Sequence, residues 1–165
     1  MFENIELLLK IELWYNKVEL YKKGGRFMSF EWKDRYSLHI PEIDAQHKRL
    51  FEIGNRAYDI ALLNDDYDHY DEIMSIIGEL LDYTKYHFGY EEKLLEKYGY
   101  PELGGHYKEH NFYINKFKKI SGEKVDDNQQ QIVLDILDFL SQWISNHILI
   151  SDRKYTLYLK ENELI

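Results

Sequence analysis

Cysteine is absent from the 165 residues. This excludes disulfides, thiolate zinc sites, cysteine nucleophiles and cysteine-ligated iron–sulfur clusters. Proline is almost absent: Pro41 and Pro101 are the only two, so helices can run unbroken nearly everywhere else. Long apolar runs are missing as well. The most promising stretch, Phe2 to Tyr21, is interrupted by Glu3, Glu6, Lys10, Glu12, Lys17 and Glu19, and falls short of the ~18 uninterrupted apolar residues that a membrane span needs. It also lacks the basic start and small-residue cleavage site of a signal peptide. A cytoplasmic chain with no stable membrane insertion is therefore expected. Positive charge is in deficit, with 21 Lys and Arg against 30 Asp and Glu for a formal net charge of −9. Such a surface repels phosphate backbones and argues against nucleic acid as a partner.

What is present is apolar side chain in quantity, 44% of residues with 15 Tyr and 8 Phe, enough for one globular domain with a sizeable core. Residues 1–27 stand apart as an N-terminal extension. Lys23-Gly24-Gly25-Arg26-Phe27-Met28 is what a purine-rich ribosome-binding site just upstream of a start codon would spell if translated, so Met28 is expected to be the natural start. If residues 1–27 are part of the protein, their apolar spacing allows an additional N-terminal helix on the surface. The domain proper is expected over residues 28–165.

Within it, an N-terminal loop segment leads to four amphipathic stretches. The first follows Pro41, carries Leu50, Phe51, Ile53, Ala57, Ile60 and Ala61, and ends near Asn64-Asp65-Asp66. The second runs from about Asp68 to Tyr98, with Ile73, Ile76, Ile77, Leu80, Leu81 and Tyr83 on one side and Gly99 past its end. The third starts after Tyr100-Pro101 and reaches about Ile120, before a turn marked by Ser121-Gly122 and Asp126-Asp127-Asn128. The fourth covers about Gln129 to Ile150, with Ile132, Val133, Ile136, Leu137, Leu140, Ile144 and Ile148 on its apolar face. Long helices joined by short connections predict an all-α, up-down-up-down four-helix bundle.

The chemistry lies in the histidines. His47 sits in the first stretch, His87 and Glu91 four apart in the second, His106 and His110 four apart in the third. Residues four apart on a helix share a face, so each pair can aim two donors at one point. His147 and Asp152 are five apart, which on an ideal helix leaves them about 140° out of phase. They meet one site only if the helix ends or loosens near Ser151, or if Asp152 reaches across between two metals. Five imidazoles and two carboxylates are too many donors for one first-row ion and suit two metals with an open position. Imidazole and carboxylate without thiolate suit iron, zinc, copper or nickel better than magnesium or calcium. The Glu-x-x-His tetrapeptide of ferritin-like di-iron sites does not occur. An imidazole-rich site pushes less electron density onto a metal, which favours binding dioxygen over cleaving it.

These residues lie in Ile43-Asp44-Ala45-Gln46-His47-Lys48-Arg49-Leu50-Phe51, in His87-Phe88-Gly89-Tyr90-Glu91-Glu92, after Tyr100-Pro101, and in Trp143-Ile144-Ser145-Asn146-His147-Ile148-Leu149-Ile150-Ser151-Asp152. In order and spacing the chain resembles the hemerythrin family, specifically its single-domain bacterial members, from Phe30 to about Tyr158. The resemblance implies an oxo- or hydroxo-bridged di-iron centre. His106, His110 and His147 would ligate one iron, His47 and His87 the other, which keeps an open site, and Glu91 and Asp152 would bridge both. It implies reversible binding of dioxygen as hydroperoxide at the open iron, for storage, delivery or scavenging, in a protein that is not an enzyme; the sequence does not fix the oligomeric state, and a monomer is expected. An oxygen or redox sensor, or a di-iron enzyme acting on peroxide or nitric oxide, are the alternatives. Phe88, Trp143, Ile144 and Ile148 are candidates for the apolar pocket that holds dioxygen. Ile144 replaces a common leucine, and His39 a common glycine. Asp44, Gln46 and Glu92 are candidate acceptors for ligand N–H groups.

Overall fold

The computed structural model describes residues 32–61, 63, 67, 69–121, 137–143 and 146–165. Outside the described residues lie the extension 1–27 and the additional helix expected there, the expected helix bounds at Asn64-Asp65-Asp66 and Asp68, the expected turn at 122–128 and fourth-helix start at 129–136, and Ile144. Among the described residues every regular element is helical, as the binary pattern predicts. Helix α1 is Pro41–Ala61, α2 is Tyr70–Lys97 and α3 is Leu103–Ser121. Of a fourth rod, residues 137–143 are helical, His147–Asp152 form a π-turn, and Arg153–Glu161 is helix α4.

Each helix buries one stripe. On α2 the stripe is Ile73, Ile76, Ile77, Leu80, Thr84, His87, Phe88, Glu91 and Leu95, all buried. Spacings of three and four keep this row on one side of an α-helix, and His87 and Glu91 occupy places in it where apolar residues would otherwise sit. Neighbouring helices run antiparallel. His47 near the start of α1 faces His87 near the end of α2, with ring centroids 4.7 Å apart. Tyr113 of α3 touches Phe139 and Trp143, whereas His106, earlier in α3, touches Tyr155, later in the fourth rod. Arg49 Nη2 donates to Glu79 Oε1 at 2.7 Å and Arg56 pairs with the other oxygen, tying α1 to α2 on the solvent side.

The end of α2 follows the expected signal. Gly99 adopts φ 65°, its N–H donates to the Glu96 carbonyl, and the Tyr100 N–H donates to the Leu95 carbonyl. This paired closure needs a left-handed residue after the helix, which glycine supplies without a Cβ clash. Before α1, the loop carries a short 3₁₀ turn at Asp34–Tyr36. Trp32 and Tyr36 pack on Phe51 with ring centroids 5.8 and 5.0 Å away. Asp44, expected as a partner for a ligand histidine, instead fastens this loop. It accepts from Ser37 Oγ at 2.6 Å, the Leu38 N–H at 2.8 Å and the His39 N–H at 3.2 Å. His39 takes φ 61° there, the left-handed region where glycine is at home.

The fourth rod departs from expectation at its end. It does not stop near Ile150 but continues helically to Glu161, because Tyr155 and Leu159 supply a further buried face and neither proline nor glycine interrupts it. The His147–Asp152 conflict is resolved by the π-turn, whose i→i+5 bonding brings residues five apart into phase. His147 Nε2 lies 3.1 Å from Asp152 Oδ1.

Candidate metal centre

The helices bring all seven residues singled out by spacing to one level of the bundle, and none is more than 4% exposed. Two groups form around a shared carboxylate. Glu91, His106, His110 and His147 offer donor atoms that all lie within 4.8 Å of one another, and so do His47, His87 and Glu91. Asp152 also spans both groups. Its Oδ2 is 3.4 Å from His47 Nε2, while its Oδ1 is 3.6 Å from His106 Nε2 and 3.1 Å from His147 Nε2. Glu91 Oε2 is 3.6 Å from Nε2 of both His87 and His106 and 3.4 Å from that of His110.

Acceptors behind the imidazoles turn these atoms inward. His87 Nδ1 bonds Gln46 Oε1 at 3.0 Å, while Gln46 Nε2 donates to Glu42. His110 Nδ1 bonds Glu92 Oε1 at 2.8 Å, and His147 Nδ1 bonds Glu109 Oε2 at 3.0 Å. Carboxylate and amide oxygens only accept, so each of these imidazoles keeps its proton on Nδ1 and, when neutral, presents a bare lone pair at Nε2. The consequence is a buried cluster of acceptors facing acceptors. His110 Nε2 and His147 Nε2 stand 3.1 Å apart. His47 Nε2, His87 Nε2, His106 Nε2, Glu91 Oε2 and both Asp152 oxygens have no hydrogen-bond partner. Buried polar atoms left this way cost folding free energy, and a cation among them removes the cost.

Electrostatics point the same way. Burial pushes His87 down to about 3, past the opposing pull of Glu91, so its lone pair is free throughout the neutral range. Burial works against charge on His147 too, but Asp152 and Glu109 outweigh it and raise its pKa. Glu91 is held well below the ordinary carboxylate range: burial opposes this, and His87, His106 and His110 overcome it. Glu109 falls to about 2, chiefly through its bond to His147. The cluster draws positive charge.

The expected pocket residues surround it unevenly. Phe88 stacks on His110 at 3.6 Å with planes 3° apart and meets Trp143 edge-on at 5.2 Å. Trp143 lies over His147 at 5.7 Å, and Ile148 is buried. Three contributors escaped the sequence reading. Tyr155 Oη donates to Glu91 Oε1 at 2.6 Å, both residues being fully buried. Glu109 carries His147, and Ser151 Oγ donates to the same Glu109 oxygen at 2.6 Å. Tyr155 was findable, three residues past Asp152 and so on its face; for Glu109 and Ser151 no local signal exists.

Fold and site together define an all-α bundle with a metal-binding cluster buried between its helices. The chain belongs to the hemerythrin family: the family described as hemerythrin HHE cation binding domain matches residues 38–157. A bacteriohemerythrin of Clostridium acetobutylicum is 42% identical over 127 residues, 76% of this chain and 98% of that protein. One from Stenotrophomonas maltophilia is 31% identical over 134 residues, 78% of this chain and 80% of the relative. A hemerythrin-like protein of Naegleria gruberi is 30% identical over 126 residues, covering 76% and 90%.

Proposed function

We infer that this chain is a di-iron protein that binds dioxygen reversibly without turning it over, serving storage, delivery or local scavenging. The observation that carries the reading is the inward convergence of five imidazoles and two carboxylates, among which His47 Nε2, His87 Nε2, His106 Nε2, Glu91 Oε2 and both Asp152 oxygens lack hydrogen-bond partners. Membership of a cation-binding family and resemblance to bacteriohemerythrins support it. His106, His110 and His147 would hold one iron, His47 and His87 the other, with Glu91 and Asp152 shared. When bound, a pair of irons supplies two electrons to dioxygen and takes them back on release.

The chain's own residues do the rest. The two-imidazole position offers one donor fewer, so room for dioxygen is left there. Gln46, Glu92 and Glu109 set the tautomers of three ligands, an arrangement that strengthens metal ligation. Tyr155 anchors the bridging carboxylate. Phe88, Trp143 and Ile148 wall the cluster with apolar surface and keep water from it. Carboxylates and imidazoles inside the cluster are committed as ligands, which leaves the site suited to binding rather than acid–base turnover.

The test is an iron count with optical spectra of the reduced, iron-loaded protein before oxygen, under oxygen and after its removal. Two irons per chain and charge-transfer bands that come and go with oxygen are expected. Bands that decay at once and cannot be restored by removing oxygen would refute reversible binding.

A further inference from the structure

Three imidazoles are held from behind by side-chain acceptors, and one of those acceptors is unlike the others. Gln46 is buried and Glu92 has only a fifth of its side chain exposed, whereas the Glu109 side chain is 47% exposed. A single oxygen of Glu109 nevertheless receives two donors, His147 Nδ1 at 3.0 Å and Ser151 Oγ at 2.6 Å. Both belong to the π-turn, at its first and fifth residues. Such turns are rare because i→i+5 bonding is less favourable than the α-helical alternative, so something must keep this one from relaxing. Within the turn the buried side chains are His147, Ile148 and Asp152. Glu109 grips it from α3, a different helix, at two points.

The geometry points to Glu109 as a positioning residue that holds the π-turn in register. By joining His147 to Ser151 through one oxygen, it keeps His147 Nε2 and Asp152 Oδ1 aimed at the same place. The inference rests on the metal-binding reading and adds a selectivity to it. Glu109 contacts the three-imidazole group through His147 and touches neither His47 nor His87. Its loss therefore weakens the three-imidazole position most, and reaches the other only through the shared Asp152.

Cobalt(II) binding to the full-length, iron-free protein tests this, followed by visible absorption and by competition with a chelator of known affinity. Wild type is expected to take up two cobalt ions. In Glu109→Ala one binding step weakens about 10- to 100-fold, the usual consequence of removing an acceptor behind a metal-bound histidine, while the other weakens by a clearly smaller factor. Glu109→Gln keeps an acceptor oxygen and lies closer to wild type than Glu109→Ala. Ser151→Ala removes half of the grip and weakens the same step by a smaller factor. Far-ultraviolet circular dichroism of each iron-free variant separates weakened binding from lost fold, and if Glu109→Ala does not fold, the other two variants carry the comparison. Equal weakening of both steps, or unchanged binding in Glu109→Gln and Ser151→Ala alike, overturns the assignment of Glu109. Failure of the wild type to bind cobalt overturns the metal-binding reading instead.

Discussion

Tyr155→Phe removes one oxygen atom from the centre of the bundle and almost nothing else. The ring keeps its edge contacts with His106, 5.6 Å away, and Tyr100, 6.3 Å away. What disappears is the 2.6 Å bond from the phenol to Glu91 Oε1. Burial and the neighbouring Glu91 raise the Tyr155 pKa well above its ordinary value, so the phenol is a donor at every working pH. Both residues have no exposure, and water cannot take the vacated place without repacking. A hydrogen bond to a charged group, lost in this way, costs about 1.5–3 kcal/mol. For a domain of this size that lowers the melting temperature by roughly 3–12 °C, at about 2–4 °C per kcal/mol. Urea unfolding of the metal-loaded protein, followed by circular dichroism, should show a lower midpoint with an unchanged slope. A loss below about 0.5 kcal/mol would refute the view that this phenol anchors a buried carboxylate, and would mean that the bridge is held by its metals alone.

Other outcomes follow from the same contacts. Stripping the metal with a strong chelator should lower the melting temperature by roughly 8–16 °C, since ligand at a thousandfold its dissociation constant contributes about 4 kcal/mol; differential scanning calorimetry with and without iron measures it, and equal melting temperatures would contradict a buried site that needs a cation. Phe88→Ala removes the ring stacked on His110 and should cost about 3–5 kcal/mol, read from urea midpoints, while admitting water and speeding loss of the oxygenated spectrum; stability within about 1 kcal/mol of wild type would remove Phe88 from the wall. His39→Gly relieves a left-handed backbone at φ 61°, worth about 1–2 kcal/mol, against roughly 0.4–1 kcal/mol of added unfolded-state freedom. A small net gain in the urea midpoint is expected, and a clear loss would show that the His39 side chain contributes to the loop.

The parts of this molecule that could be read from sequence are those with a period. Leu80, Thr84, His87, Glu91 and Leu95 fall on one stripe because spacings of three and four have one meaning on a helix, and Gly99 closes α2 for a reason visible in its own chemistry. The convergence of His47, His87, Glu91, His106 and His110 follows from the same arithmetic. What could not be read has no period. Asp44 and Glu92 looked alike as neighbours of ligands, yet one ties down a loop and the other supports His110. That choice depends on which helix lies opposite, and a single sequence does not record it. The π-turn sat between the two cases. The five-residue interval from His147 to Asp152 announced a conflict, but not whether the helix would end or bulge.

The fourth rod also shows how deeply that bulge is written into the chain. Its buried positions run Leu137, Leu140, Trp143, His147, Ile148, Asp152, Tyr155, Thr156 and Leu159. On a plain α-helix Ile148 and Asp152, four apart, would still share a face, and only His147 would turn away from Asp152. Packing alone does not require His147 and Asp152 to reach one point, and that meeting is what the π-turn supplies. Tyr155 and Leu159 follow Asp152 at intervals of three and four, so the C-terminal turns of the rod share its face. A segment that looks like ordinary bundle packing takes its phase from the metal cluster upstream, and its apolar side chains report where that cluster must sit.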